Sequence, residues 1–259
     1  MSILQAVILG VIQGLTEFLP VSSSGHLVLM QRIFGINADA VLFDTALHVG
    51  TLFSVIFVMR KECNLLIKKP FSKMWWLIIA ATLPTVAAAL ILGEKIEAAF
   101  SGDMLFLGFL LTSFVLFISE RVSTKGKKHT EVGFKNAFIM GGMQALATLP
   151  GLSRSGSATA GGLLSGLHRK TAVDFAMLMS IPAILGSAVY KSFDLIGTGF
   201  DTALILPCAV GTVCSALSGC ISVKAMLGAV KKRRMTPFII YTGALGAFLL
   251  ADKLFFKLI

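Results

Sequence analysis

Within an apolar run, Gln13 to His26 reads Q-G-L-T-E-F-L-P-V-S-S-S-G-H, gathering an amide, a carboxylate, three successive hydroxyls and an imidazole. A charged side chain at the centre of a bilayer costs at least ~2.5–3.5 kcal/mol, so polar groups embedded in apolar sequence mark a working site. Gln13 and Glu17 stand four apart on one helical face, where two oxygen donors can converge on a hard cation such as Mg2+ or Ca2+. A second stretch, Gln144 to Ser157, reads Q-A-L-A-T-L-P-G-L-S-R-S-G-S and supplies the missing cation, Arg154. A guanidinium is always charged and its fork matches phosphate oxygens bidentately. Helices opening after Gly25 and Gly156 would add backbone N–H groups that favour anions. A carboxylate and an imidazole on one side and a guanidinium on the other make a centre suited to phosphate.

The same residues also have structural readings. Glu17 and Arg154 can form a purely structural ion pair, His26 can cap a helix beside Gly25, and Ser22, Ser23 and Ser24 can satisfy freed backbone groups. Asp44 and His48, four apart at the start of an apolar span, make either a supporting pair for the site or a polar pair at the membrane interface.

The elements that must position these groups are helices. The chain is 56% hydrophobic and 14% charged, where soluble proteins carry about 25% charged residues. Runs near the ~20 residues needed to cross a bilayer recur, and the alternating short segments of a β-barrel are absent. The fold class is therefore an all-α polytopic membrane protein. Spans are expected near 41–59, 75–93, 103–120, 172–190, 202–222 and 236–251. The segments 3–19 with 25–36, and 134–149 with 157–167, are too short for comfortable spans and flank the two polar breaks. Proline and Ser/Gly interrupt the helix ladder there, so each pair is expected to form a re-entrant hairpin. The first apolar run has no cationic leader or small-residue cleavage site and reads as mature protein.

The two halves align without gaps at an offset of 131: Gly10, Gln13, Leu15, Ser22, Ser24, Gly25 and Gly35 recur as Gly141, Gln144, Leu146, Ser153, Ser155, Gly156 and Gly166. Paired interrupted segments with weak internal symmetry indicate a single membrane domain over 1–259 built from repeats of about 1–121 and 133–255. Lys and Arg gather at 60–73, 121–135 and 224–234, whereas 94–103 and 191–201 are acidic. Basic loops lie in the cytoplasm, which gives each half three crossings and inverts the second half. Hairpin one then enters from outside and hairpin two from inside.

The net charge of +10 sits in these short loops, the pattern of a surface facing anionic lipid rather than nucleic acid. Cys63, Cys208, Cys214 and Cys220 have no CxxC spacing and read as free packing thiols.

Across essentially the whole chain the sequence resembles the undecaprenyl-diphosphate phosphatase family, also called the bacitracin-resistance protein family. The resemblance rests on Gln13–His26, on F-D-T-A-L-H-V-G-T at Phe43–Thr51, and on P-G-L-S-R-S-G at Pro150–Gly156. It implies a metal-dependent hydrolase of the bacterial inner membrane, open to the outer face, that removes the terminal phosphate of undecaprenyl diphosphate and returns the lipid carrier to peptidoglycan synthesis. The family's [E/Q]-x-x-x-E motif falls on Gln13 and Glu17, its serine and histidine on Ser23 and His26, and its arginine on Arg154. Here the first acidic position is Gln13, and Ala158 replaces the threonine of P-G-x-S-R-S-x-x-T, leaving Ser157 or Thr159 to supply that hydroxyl.

On this reading Glu17, Ser23, His26 and Arg154 are catalytic. Glu17 and Gln13 hold Mg2+ or Ca2+, and Ser22, Ser24, Gly25, Ser153, Ser155 and Gly156 contact the substrate. The nucleophile is either Ser23 with His26 as base or a water activated by Glu17 or His26. Expected partners are a polyprenyl diphosphate and membrane lipids, with a homodimer compatible with the sequence and no nucleic acid. Lipid phosphatases of the acid-phosphatase superfamily need a further His after the S-R motif, and Ser155 to Leu167 holds none. The rival of a different class is a transporter or flippase for the lipid carrier or a small anion, since inverted repeats with half-helices are transporter architecture.

Overall fold

Helix lengths decide which segments can cross a membrane. The computed structural model describes residues 1–36, 40–99, 104–123, 129–194, 202–232 and 234–256. Its helices in chain order are α1 (Ile3–Phe18), α2 (Ser23–Ile33), α3 (Ala40–Val58), α4 (Arg60–Lys68), α5 (Lys73–Ala99), α6 (Leu105–Val122), α7 (Phe134–Leu146), α8 (Arg154–Leu164), α9 (Arg169–Asp194), α10 (Ile205–Lys231) and α11 (Thr236–Ala251). Six of them, α3, α5, α6, α9, α10 and α11, are long and apolar enough to cross a membrane. The rest of the apolar helices are not. At 1.5 Å per residue, α1 with 16 residues and α7 with 13 reach only about 24 and 20 Å, against a hydrocarbon core of about 30 Å. The chain is a multi-pass helical membrane protein in which α1–α2 and α7–α8 are short hairpins broken at Leu19–Ser22 and Ala147–Ser153.

Glycine positions explain how the hairpins dock. A methyl added at Gly10 would sit 2.6 Å from the Gly211 carbonyl oxygen, and one at Gly14 would sit 2.4 Å from the Ser215 carbonyl oxygen. The ascending order on both helices means that α1 runs parallel to α10, backbone against backbone, and Ser222 Oγ closes the contact by donating to Gly14 O at 2.7 Å. In the other half a methyl at Gly141 would meet the Ala81 carbonyl oxygen at 2.2 Å, and Gln144 Nε2 donates to Thr85 Oγ1 at 3.0 Å. So α7 runs parallel to α5 as α1 runs parallel to α10. Each hairpin docks on a long helix of the opposite half.

The core follows this interlock. Phe18, Val55, Leu77, Met140, Leu163, Met177 and Val223 form the central apolar cluster, while Ala6, Leu9, Leu27, Phe43 and Leu47 form a smaller one behind α1 and α2. Large apolar side chains on the long helices stay outside, among them Phe53, Phe57, Leu90, Phe114, Leu217 and Ile221, as a lipid-facing surface requires. At the basic rim, buried Arg169 pairs with Glu120 at 2.9 Å and donates to Ser123, tying the start of α9 to the end of α6.

Two basic stretches read as loops are partly helical. Residues 60–73 contain α4, which buries none of its residues, and α10 continues through Lys224 to Lys231. Lys, Arg, Leu and Met are good helix formers, and long cationic side chains at a rim reach back to water while their stems cover apolar surface. Of the acidic segments, 94–99 continue α5 and 191–194 continue α9, while 100–103 and 195–201 lie outside the described residues.

Candidate active site

The polar breaks fold as caps. Ser22 Oγ accepts from Gly25 N at 3.4 Å at the start of α2, and Ser153 Oγ accepts from Gly156 N at 3.1 Å at the start of α8. Each satisfies one of the donors that a helix start leaves unpaired. Their hydroxyls also lie 3.4 Å from Ser24 Oγ and 3.3 Å from Ser155 Oγ respectively. The two tips touch. Ser155 Oγ donates to Leu19 O at 3.2 Å, a methyl on Gly156 would lie 3.0 Å from Pro20, and one on Gly25 would lie 3.1 Å from Gly151.

This contact brings the candidate residues together around one carboxylate. Arg154 Nη2 donates to Glu17 Oε1 at 2.8 Å; Gln13 Nε2 and Ser23 Oγ donate to Glu17 Oε2 at 2.9 and 2.5 Å. Residues 137 apart in sequence thus share an ion pair, and the Glu17 side chain is only 3% exposed while that of Arg154 is 25% exposed. A buried carboxylate is tolerated only when paired and hydrogen-bonded, and Glu17 has both.

His26 does not bond to Ser23, the partner it would have in one of the two expected nucleophile arrangements. His26 Nδ1 lies 2.7 Å from Ser22 O, and because a carbonyl only accepts, Nδ1 carries the proton. Nε2 then accepts from the Tyr241 hydroxyl at 2.6 Å. The ring stacks on Tyr241 with centroids 5.7 Å apart and meets Phe109 edge-on at 5.3 Å. Ser23 bonds to Glu17, not to His26.

Two site residues lie beyond the sequence-based set. Tyr241, on α11, reaches His26 across 215 positions, and no local pattern signals it. His48 was visible only as part of an i, i+4 pair with Asp44; its Nε2 lies 3.8 Å from Glu17 Oε2. Asp44 faces elsewhere, accepting from Gln31 Nε2 at 2.7 Å. Of the hydroxyls that could replace the threonine missing at Ala158, Thr159 is fully buried with an unpartnered Oγ1, and Ser157 is buried on the first turns of α8.

Donors for a divalent cation are present. Gln13 Oε1 is fully buried and has no hydrogen-bond partner, and its amide is already against the Glu17 carboxylate. Among the described residues no group of three or more His, Cys, Asp or Glu forms a metal cage. A separate cavity of about 830 Å³ lies at the start of α7, lined by Lys73, His129, Glu131, Lys135 and Asn136, and its lining includes none of these site residues. All four cysteines are free.

Fold and site together define a class: a multi-pass, all-helical membrane protein whose charged centre forms where the tips of two interrupted helices meet. The chain belongs to the bacitracin resistance protein BacA family, whose model matches residues 6–248. It is 42% identical over 253 residues to an undecaprenyl-diphosphatase of Carboxydothermus hydrogenoformans, covering 96% of this chain and 97% of that protein. It is 38% identical to undecaprenyl-diphosphatase 4 of Bacillus cereus, over 96% and 97% of the two chains. To an undecaprenyl-diphosphatase of Halothermothrix orenii it is 37% identical, over 95% and 96%.

Proposed function

We propose that this protein is an undecaprenyl-diphosphatase of a bacterial inner membrane. It hydrolyses undecaprenyl diphosphate to undecaprenyl phosphate and inorganic phosphate, recycling the lipid carrier for cell-wall synthesis and so conferring bacitracin resistance. Full-length similarity to proteins of that name supports the activity. The observation that carries the site is the Arg154–Glu17 contact, with Ser23 on the second carboxylate oxygen.

In the resting protein Arg154 is held by Glu17. An arriving diphosphate offers the guanidinium a better-matched, doubly charged partner. Moving to it, Arg154 binds the substrate and frees Glu17 as an acceptor. Ser23 already points its proton at Glu17, so we assign Ser23 as nucleophile and Glu17 as its base. The Ser23 oxygen attacks the terminal phosphorus, its proton passes to Glu17, the bond to the bridging oxygen breaks, and undecaprenyl phosphate leaves. Water then attacks the phosphoserine, with His26, oriented by Tyr241, accepting its proton; the Ser23–phosphorus bond breaks, Glu17 returns its proton to Ser23, and inorganic phosphate leaves. The helices begin at Ser23 and Arg154 rather than after Gly25 and Gly156. Ser24, Ser155 and the first-turn N–H groups of Ser23, Ser24, Arg154 and Ser155 therefore contact phosphate oxygens; Ser22 and Ser153 hold those helix starts in place. A divalent cation bound by Glu17 and Gln13 would neutralise charge on the transferred group, and positioning and electrostatics carry most of phosphoryl transfer. The two hairpins and their flanking helices form the inverted repeats in this reading.

The test is phosphate release from undecaprenyl diphosphate by purified protein in detergent, with and without chelator. Release that depends on metal and is lost in Arg154→Ala supports hydrolysis. A protein that releases none, yet moves the lipid across a vesicle, is a transporter instead.

A further inference from the structure

A site with two oxygen donors leaves most of a cation's coordination to water and substrate, and a third protein donor stands beside it. His48 Nδ1 lies 2.7 Å from the Asp44 carbonyl oxygen, so that nitrogen carries a proton, and in the neutral ring Nε2 is a bare lone pair. Nε2 faces Glu17 Oε2 at 3.8 Å, beyond hydrogen-bond distance. With the ring neutral, two acceptors face each other. Two metal–ligand bonds of about 2.1 Å each can bridge such a gap. A ring N–H fixed by a backbone carbonyl, with the other nitrogen free, is the arrangement that metal-binding histidines adopt.

The backbone holds His48 in this register. A methyl on Gly50 would meet the Thr212 carbonyl oxygen at 2.4 Å, so α3 is pressed against α10. Ser215 Oγ donates to Leu47 O at 2.8 Å, and Thr51 Oγ1 donates to His48 O at 2.8 Å. A second observation points the same way: the fully buried Gln13 Oε1, with no partner, sits on an amide that touches the same Glu17 oxygen.

We propose that His48 Nε2 is a protein ligand of the active-site cation, completing a Gln13–Glu17–His48 donor set. This rests on the metal-dependent reading above and changes its selectivity. Imidazole nitrogen disfavours Ca2+ relative to a transition-series ion such as Mn2+.

The experiment uses the whole protein in detergent with Mn2+ and methylenediphosphonate, a diphosphate that cannot be hydrolysed. Pulsed electron paramagnetic resonance on protein carrying 15N-histidine should replace the 14N coupling of bound Mn2+ with a 15N coupling. His48→Gln should abolish that coupling and weaken Mn2+ binding at least about tenfold, while His26→Gln keeps the coupling. The labelled wild type decides the point even if His48→Gln fails to fold. Bound Mn2+ that needs Glu17 but shows no histidine coupling overturns the His48 assignment and leaves metal-dependent hydrolysis standing. Absence of bound Mn2+, with phosphate release unaffected by chelator, overturns both.

Discussion

The two hairpins share their caps and helix ends and differ in the side chains at their tips. Ser22 and Ser153 cap α2 and α8 through Gly25 and Gly156, Ser24 and Ser155 approach those caps, and Gly35 and Gly166 end the two helices at φ +62 and +88. Gly10 and Gly141 each let a helix lie directly on a carbonyl of the opposite half. At the positions that meet in the middle the correspondence breaks: Glu17 stands opposite Thr148 in the alignment, Ser23 opposite Arg154, and His26 opposite Ser157. The identities fall where a cap, a left-handed residue or a close helix approach is needed. Charge differs at the tips. Two hairpins of like build make an asymmetric centre, with an acceptor tip and a donor tip.

The strongest way to break that division of labour is at the ion pair. Arg154→Ala should lower phosphate release by about 10²–10³-fold or more, and leaving Glu17 buried without its partner should cost about 3–5 kcal/mol of stability; release assays and thermal unfolding in the same detergent measure both. The exchange Glu17→Arg with Arg154→Glu then separates the roles. It should recover much of the unfolding temperature and none of the activity, because Ser23 would lose its acceptor. Recovery of both would make the pair structural and the tips interchangeable.

The scaffold glycines test the shared part. Gly10→Ala and Gly141→Ala should each cost about 1–3 kcal/mol by overpacking, Gly141→Ala the more because its methyl would approach the carbonyl more closely, 2.2 against 2.6 Å. Midpoints of unfolding would reveal unequal halves if only one of the two mattered. Tyr241→Phe removes a hydrogen bond to His26 worth about 1 kcal/mol and should slow turnover about fivefold, with substrate affinity nearly unchanged.

The smallest effect is the most discriminating between tips. Ser22 sits at φ +69 and Ser153 at φ −69. Glycine at Ser22 relieves a left-handed backbone, offsetting the few tenths of a kcal/mol lost with the cap, whereas glycine at Ser153 has no such relief. Ser22→Gly should therefore leave the unfolding midpoint level or raised and Ser153→Gly should lower it.

Much of this arrangement is legible in the sequence because it depends on residue type at short range. The seven repeat identities fall on caps, close approaches and helix ends, where few side chains serve, and all but Leu15 and Leu146 have a role visible in the contacts above. The span lengths follow from hydropathy. What escaped has other causes. α4 is a run of good helix formers whose charge reads as loop, and its amphipathic face has no partner to report in sequence. Tyr241 touches His26 only after α11 packs beside α6, a long-range event with no periodic trace. His48 showed itself as half of a pair with Asp44, yet the pairing partner that matters is Glu17, on another helix. The Ser23–Glu17 bond likewise needs the chain to turn at Pro20 before its two ends can be seen as neighbours.

The cross-docking of the hairpins has a consequence for biogenesis. α1 emerges first from the ribosome, but its seat, α10, begins only at Ile205. Glu17 gains Arg154 once α8 is made, but α1 lacks its seat until α10 follows, so the first hairpin reaches its final packing only after residue 205 has been added. The last piece of the site, Tyr241 on α11, comes later still, so the centre is complete only when the chain nearly is.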